Sequence, residues 1–259
     1  MAVGTGGVSS RDPRAPARDE PSASDPEVDI PSGGLQRIVW SVETDEPIAA
    51  LTFDDGPDPE FTPRILDLLD FYQTKATFMV MGHNAVEHPW LLRDVVRSGH
   101  EIGSHGWKHL NLAESSVEEV RREIEFGTQI IEDHARVPVP TFRPPYGRLG
   151  EAALRVLANT RRDIVIWSVT RGKLEWRSHE QIASHVIASL GRGDIVDFHD
   201  GIGRGTFNRH RAFADRLRHR REVEVAALPK ILEGAAARGL RLVTVSELIG
   251  AWRPRTTET

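Results

Sequence analysis

Short apolar runs alternate with segments of helical periodicity along most of this chain, and that alternation constrains the fold more than any other feature. The run IAALTF (48–53) is apolar or small at nearly every position and ends in Asp54-Asp55-Gly56-Pro57. Such a run suits a strand covered on both faces, and the residues after it suit a turn. ATFMVM (76–81), HEIGSH (100–105) and PTFRPP (140–145) read as further strands, as do 163–169, 193–199 and 240–244. Between them, 60–73, 84–98, 115–134, 149–160, 179–190 and 223–238 carry helical spacing, and 245–252 follows the last strand. Pro89 sits near a helix start or kink, and Ser115 or Ser116 caps a helix with Glu118 or Glu119 three residues on. Strands alternating with helices predict a mainly parallel sheet with helices outside. The repeats are too many for a small open sheet, so a closed or nearly closed α/β barrel is expected, and 259 residues suit one such domain.

The barrel pattern occupies 38–253. Residues 1–37 are rich in Gly, Pro, Ser and charge and hold no aromatic residue, so they bury too little apolar surface to offset their ordering entropy. They read as a tail, with a lid or a partner-binding arm as the alternative; 254–259 read as a second, short tail. The N-terminal stretch lacks an apolar signal core and carries Asp12, Asp19 and Glu20. No apolar run reaches the roughly 18 residues of a membrane span. A cytoplasmic protein with no membrane contact is therefore the expectation. The formal net charge of -5 gives no sign of nucleic-acid binding. Cysteine is absent, so any metal must sit among histidines and carboxylates.

In parallel α/β folds, function gathers at the C-terminal ends of strands. Asp54 and Asp55 follow the first long run, His105 ends another with His109 four residues on, Arg143 follows a third, and His199 ends a fourth. Taken singly, each has a plain structural explanation: a solvated turn, a surface histidine pair, a loop arginine. Their joint placement at one rim does not. His105 and His109 lie about one helical turn apart, so both imidazoles can face one ion, and Asp55 can add an oxygen ligand. Three protein ligands leave positions open for water and substrate, as in a catalytic site. Zinc is the default for two histidines and a carboxylate; cobalt, nickel and manganese also fit the ligand types.

With those residues in view, the stretch from about Ile48 to Leu248 resembles the polysaccharide deacetylases, carbohydrate esterase family 4, with its NodB-type homology domain. Thr-Phe-Asp-Asp-Gly-Pro (52–57), Ser-His-Gly-Trp-Lys-His (104–109) and Arg-Pro-Pro-Tyr-Gly (143–147) look like the family's first three motifs, in order. The resemblance implies a distorted (β/α)7-type barrel that hydrolyses an N-acyl, typically N-acetyl, amide on an amino sugar through metal-activated water. It implies Asp54 as general base, Arg143 as its orienting partner and His199 as general acid. It implies Asp55, His105 and His109 as metal ligands, with the Tyr146 backbone N–H on the oxyanion. Pro144, Trp167, Trp176, Asp197 and Phe198 would join Tyr146 on the substrate side. A small-molecule or oligosaccharide substrate follows. Amide hydrolysis on a non-sugar metabolite and a non-catalytic carbohydrate-binding protein are the competing readings.

Two motifs depart from the family pattern. Thr170, in Trp167-Ser168-Val169-Thr170, stands where the family has the aspartate that tunes the acid histidine, and Glu175-Trp176 comes later than usual. In Asp197-Phe198-His199, Asp197 replaces a leucine that lines the acetyl pocket. Residues two apart on a strand share a face, so Asp197 should point to the same side as His199. It then either raises the pKa of His199 or recognises a polar acyl group or amine. Segment 201–222 is long and arginine-rich, with Arg204, Arg209, Arg211, Arg216, Arg218, Arg220 and Arg221. It reads as a solvated basic helix or as a flap over an anionic substrate.

Overall fold

A computed structural model describes residues 37–172, 178–203, 207 and 211–253. In chain order the elements are β1 (Ile38–Val39), β2 (Ile48–Asp54), α1 (Thr62–Phe71), β3 (Thr77–Val80), α2 (Gly82–Glu87), α3 (Pro89–Arg97) and β4 (Glu101–Ser104). Then come α4 (Val117–Arg121), a π-helical turn (Arg122–Phe126), α5 (Gly127–Ala135), β5 (Thr141–Phe142), α6 (Glu151–Leu157), β6 (Asp163–Val165) and β7 (Val169–Thr170). The last are α7 (His179–Ser189), β8 (Ile195–His199), α8 (Arg211–Ala237), β9 (Arg241–Val243) and α9 (Val245–Gly250). The expected tail falls almost wholly outside the described residues; Arg37 is described and pairs with Asp163 at 2.7 Å. No helix among the described residues is long and apolar enough to cross a membrane.

The strands form one parallel sheet in the order β1-β6-β5-β4-β3-β2-β8-β7, with β9 on the first half of β2. The sheet curls into an open barrel. Its centre is β2, buried at every one of its seven positions. Alternation along β2 sorts its side chains into two environments. Ala49, Leu51 and Phe53 join Phe78, Val80, Val196 and Phe198 in the layer under α1, α3, α7 and α8. Ile48 and Ala50 join Met79, Ile195 and Val243 inside the barrel, plugged by Val245 and Leu248 of α9. Thr52 and Asp54 continue that inward row, in register with Asp197 and His199 of β8. The interior is thus apolar at its base and polar at its C-terminal rim.

The expected strand 163–169 divides. β6 pairs with β5 and β1, whereas β7 pairs with β8 at the far end of the sheet. Residues 166–168 therefore cross the open side of the barrel, where the Ser168 N–H reaches the Ile195 carbonyl at 3.0 Å. The expected helix 84–98 breaks into α2 and α3 with Pro89 at the first position of α3, which needs no N–H donor there. Ser116 and Glu119 form a capping box at α4. The expected helix 223–238 starts twelve residues earlier, because α8 absorbs much of the arginine-rich segment. Phe213 and Leu217 extend its inward stripe at i and i+4, but the next position on that stripe is Arg221, so the hydrophobic pattern reads as ended.

Phe198 corrects an expectation. It lies fully buried on the outward face of β8, in the core and not against substrate. Phe198→Ala should lower unfolding free energy by about 3–5 kcal/mol, the usual cost of emptying a core phenylalanine site. Denaturant titration checks this; a change in substrate preference with stability intact would return Phe198 to the site.

Candidate metal and catalytic site

Asp54 ends β2, and Asp55 follows in a left-handed conformation at φ 77. That reversal turns consecutive carboxylates to different tasks. Asp54 Oδ1 accepts from Arg143 Nη1 at 2.6 Å. Asp55 aims Oδ1 at His109 Nε2, 3.3 Å away, and at His105 Nε2, 3.7 Å away. The Asn84 amide holds the Asp55 carbonyl at 2.8 Å. The turn continues through a cis Gly56-Pro57 bond.

His105 and His109 converge through a loop and not through the helical turn their spacing suggested. His105 leaves β4 with its N–H on the Val80 carbonyl at 2.7 Å. Gly106 then adopts φ 80 and His109 φ 62. A side chain at Gly106 would put Cβ 2.7 Å from Glu123 Oε2, so only glycine fits. Glu123, buried on the π-helical turn, accepts the backbone N–H groups of Trp107 at 3.0 Å and Lys108 at 2.9 Å. It thereby fixes the loop between the two histidines. His105 Nδ1 meets the Arg143 carbonyl at 2.9 Å. A carbonyl can only accept, so Nδ1 carries the proton and the Nε2 lone pair faces the site.

Asp55, His105 and His109 each offer an atom within 4.8 Å of the others, and all three are buried. Asp55 Oδ1 has no hydrogen-bond donor. Three acceptor atoms facing one another without a donor suit a cation, and the donor set of two imidazoles and a carboxylate suits zinc. Burial, with His109 nearby, lowers the pKa of His105 to about 3, and burial also lowers that of His109. Burial opposes the charge on Asp55, yet the surrounding histidines and Arg221 hold its pKa below the usual value. Two neutral imidazoles and an ionised carboxylate are the ligand forms a metal needs.

Arg143 follows β5 and is fully buried. Its Nη1 reaches Thr52 Oγ1 at 2.7 Å in addition to Asp54, its Nε meets the Val165 carbonyl at 3.2 Å, and its Nη2 meets the Ile166 carbonyl at 2.9 Å. Its Nη1 also lies 3.5 Å from Asp197 Oδ1. Asp197 does point inward with His199, as strand alternation predicts. Burial, and then Asp54 beside it, push the Asp197 pKa up to about 7.

His199 meets Glu224 of α8, its Nδ1 lying 3.2 Å from Oε2. Burial and Arg221 pull the His199 pKa down, but Asp197 and Glu224 outweigh them and raise it to about 9. Glu224 was not anticipated from the sequence. The available signal was a glutamate on the buried face of a core helix, between Val223 and Val225; such a charge stays buried only when paired. Arg221 is paired as well, with Nη2 at 3.1 Å from Asp55 Oδ2 and Nη1 at 3.0 Å from Glu224 Oε1.

These groups surround a cavity of about 270 Å³ lined by Asp55, His105, His109, Tyr146, Trp167, His199, Ile202, Phe213, Leu217 and Arg221. The Tyr146 ring packs edge-on to His109 at 4.5 Å, and its backbone is left-handed at φ 62. Trp167 lies over the Arg143 guanidinium, 5.7 Å from ring centroid to Cζ. Pro144 is buried beneath the turn, its carbonyl accepting the Gly147 N–H at 2.9 Å, and is absent from the lining. Trp176, Arg204 and Arg209 lie outside the described residues. Among the described residues, the basic segment forms no arginine flap. Arg218 pairs with Glu60, Arg211 lies 3.9 Å from Asp215, and Arg216 lies over Phe213. Of the described arginines only Arg221 lines the cavity, and it is held by Asp55 and Glu224.

The family model for polysaccharide deacetylase matches residues 41–165. A peptidoglycan-N-acetylglucosamine deacetylase of Bacillus cereus is 37% identical over 214 residues, covering 82% of this chain and 92% of the relative. A chitooligosaccharide deacetylase of Sinorhizobium fredii is 33% identical over 205 residues, covering 78% and 92%. A crystal structure of a peptidoglycan N-acetylglucosamine deacetylase with a bound N-oxidanyl-benzamide superposes with a TM-score of 0.72 at 31% identity, over 84% of this chain and 96% of that one. The chain belongs to the polysaccharide deacetylase family, carbohydrate esterase family 4, and is a hydrolase of N-acetyl amide bonds on carbohydrates.

Proposed function

We propose that this protein is a zinc-dependent deacetylase of N-acetylglucosamine units in an oligosaccharide or glycan. The observation that carries this reading is the pairing of two adjacent sites. A donor-free Asp55 Oδ1 faces two imidazole nitrogens, and next to it Asp54 is clamped by Arg143. The relatives named above supply the substrate class.

When bound by Asp55, His105 and His109, a divalent ion supplies Lewis acidity, acidifying water and polarising an acyl carbonyl. Asp54 is the general base. Its Oδ1 is held by Arg143, which leaves Oδ2 for the proton of the attacking water; that atom lies 3.7 Å from His105 Nε2. The backbone N–H of Tyr146, on the left-handed turn at the cavity wall, is the protein donor to the oxyanion. His199 is the general acid. With its pKa near 9 it carries a proton at neutral pH, and its Nε2 delivers that proton to the departing amine. The retained base and its buried guanidinium argue against a purely carbohydrate-binding role, which would need neither.

Asp197 lies behind the cavity lining, beside Asp54 and Arg143. That placement favours its action on His199 over recognition of the acyl group. Its negative charge favours the imidazolium, so Asp197→Leu should move the basic limb of the pH–rate profile to lower pH without speeding acetate release. Faster acetate release from the leucine variant would favour acyl recognition instead.

Asp54→Asn should keep its zinc and lose roughly 10²–10⁴-fold in turnover, the usual contribution of general acid–base catalysis. His105→Ala should lose metal and activity together. Acetate release from chitooligosaccharides and soluble peptidoglycan fragments, with zinc restored after chelation, tests the whole reading. Full metal occupancy with no acetate released from either substrate would overturn it.

A further inference from the structure

Among the described residues, the acid side of the site lacks the carboxylate that the family resemblance implies; Glu175 lies outside them. Thr170 stands in the place of that carboxylate, and its hydroxyl is engaged locally, accepting the Gly172 N–H at 3.1 Å. His199 is nevertheless partnered. Its Nδ1 lies 3.2 Å from Glu224 Oε2, and the Glu224 side chain is 1% exposed. The other carboxylate oxygen, Oε1, lies 2.9 Å from Arg171 Nε and 3.0 Å from Arg221 Nη1. Arg221 donates to Oε1 and Arg171 lies beside the same oxygen as an ion pair, which leaves the second oxygen, Oε2, directed at the imidazole.

We propose that Glu224, reaching over from α8, is the carboxylate that positions His199 in this chain, in place of the aspartate that β7 would carry at Thr170. The charge has moved from a strand to a helix. Arg171, immediately after Thr170, and Arg221, one turn before Glu224, hold the relocated carboxylate from both elements. An imidazole whose Nδ1–H is donated to a fixed carboxylate presents Nε2 to the cavity in one orientation. Glu224 touches no substrate, so it is a positioning residue. The assignment rests on His199 being the general acid.

Asp197 is the competing carboxylate. It makes no hydrogen bond through Oδ1, and its closest charged contacts are on the Arg143 side, whereas Glu224 Oε2 meets the imidazole Nδ1 directly. Burial opposes the charge on Glu224, but Arg221 and His199 hold its pKa at about 2, so it stays anionic throughout the working range. The charged and titratable groups facing His199 are Asp197 on its own strand, Asp55 after β2, His109 after β4, and Arg221 and Glu224 on α8. Removing the negative charge of Glu224 from this set disfavours the imidazolium, so His199 loses its proton at lower pH.

The test uses zinc-loaded protein and a chitooligosaccharide substrate. Glu224→Gln should lower kcat by about 10- to 100-fold with KM within about twofold, a fraction of the whole acid–base contribution. It should also move the basic limb to lower pH. Adding Thr170→Asp to Glu224→Gln should recover a large part of kcat and return the basic limb upwards. Glu224→Gln also leaves Arg171 and Arg221 beside a neutral group, so Glu224→Asp serves as the variant that keeps the charge. It should hold the basic limb near its wild-type position. NMR titration of His199 in each folded variant gives a readout independent of turnover and should follow the same order. If Glu224→Gln keeps wild-type kcat and basic limb while His199→Asn is inactive, the assignment is overturned and the acid role stands. If His199→Asn is fully active, the acid role itself fails. A basic limb displaced as far by Glu224→Asp as by Glu224→Gln would also overturn the assignment.

Discussion

The buried guanidinium of Arg143 is the interaction on which the rest of the site depends. It meets the segment that crosses the open side of the sheet from β6, paired with the margin strand β1, to β7 at the other margin. It meets the carbonyls of Val165 and Ile166 on the crossing segment, the Thr52 hydroxyl and the Asp54 carboxylate on β2, and passes its own carbonyl to His105. An uncompensated buried charge costs several kcal/mol, so the guanidinium and Asp54 require each other. The same group therefore orients the proposed base, ties the crossing segment to β2 and fixes the tautomer of a proposed metal ligand. A lysine could not replace it, because one ammonium cannot span partners in those directions.

From that anchor, polar contacts run in two directions around the rim. One passes from Arg143 through its carbonyl to His105, and then across the Glu123-braced loop to His109. The other runs from Asp55 to Arg221, to Glu224 and to His199. The second route links a proposed metal ligand to the proposed acid through a single helix. Buried networks of this kind hold geometry only when each member is satisfied. Asp55 Oδ1, one of the buried oxygens left without a donor, is directed at the two imidazole nitrogens.

The sequence made the barrel legible because its strands are continuous apolar runs and its helices carry a clear period. It made the Asp55, His105 and His109 cluster legible because those residues sit at strand ends. It was less informative where tertiary structure overrides local pattern. His105 and His109 sit at a helical spacing, yet a glycine at positive φ and a buried glutamate on a π-helical turn bring them together. The run 163–169 looks like one strand, yet its two ends pair with opposite margins of the sheet. Phe198 sits between two inward residues, and period-two alternation alone would have placed it in the core. Glu224 was hidden because the position that charges a helix face and the position that buries it are the same, and a sequence does not say which partners will meet it.

The position of α8 couples two properties that are separable in principle. Phe213 and Leu217 line the cavity, and Arg221 and Glu224, one and two turns further on, hold the acid side. All four lie along one stripe of a single rigid element. A shift of α8 along its axis would move the apolar wall and the Glu224 carboxylate together, so pocket shape and the orientation of His199 cannot vary independently. With Glu224 in the role proposed for it, the helix that covers the cavity also carries the orientation of His199. The arginine-rich beginning of α8, which the sequence leaves open between a solvated basic helix and a flap over an anionic substrate, carries outward ion pairs such as Arg218 to Glu60, with Glu222 of the same helix paired to Arg64. Each exposed pair contributes little alone. The buried Arg221, bonded to both Asp55 and Glu224, holds the carboxylate where it meets His199.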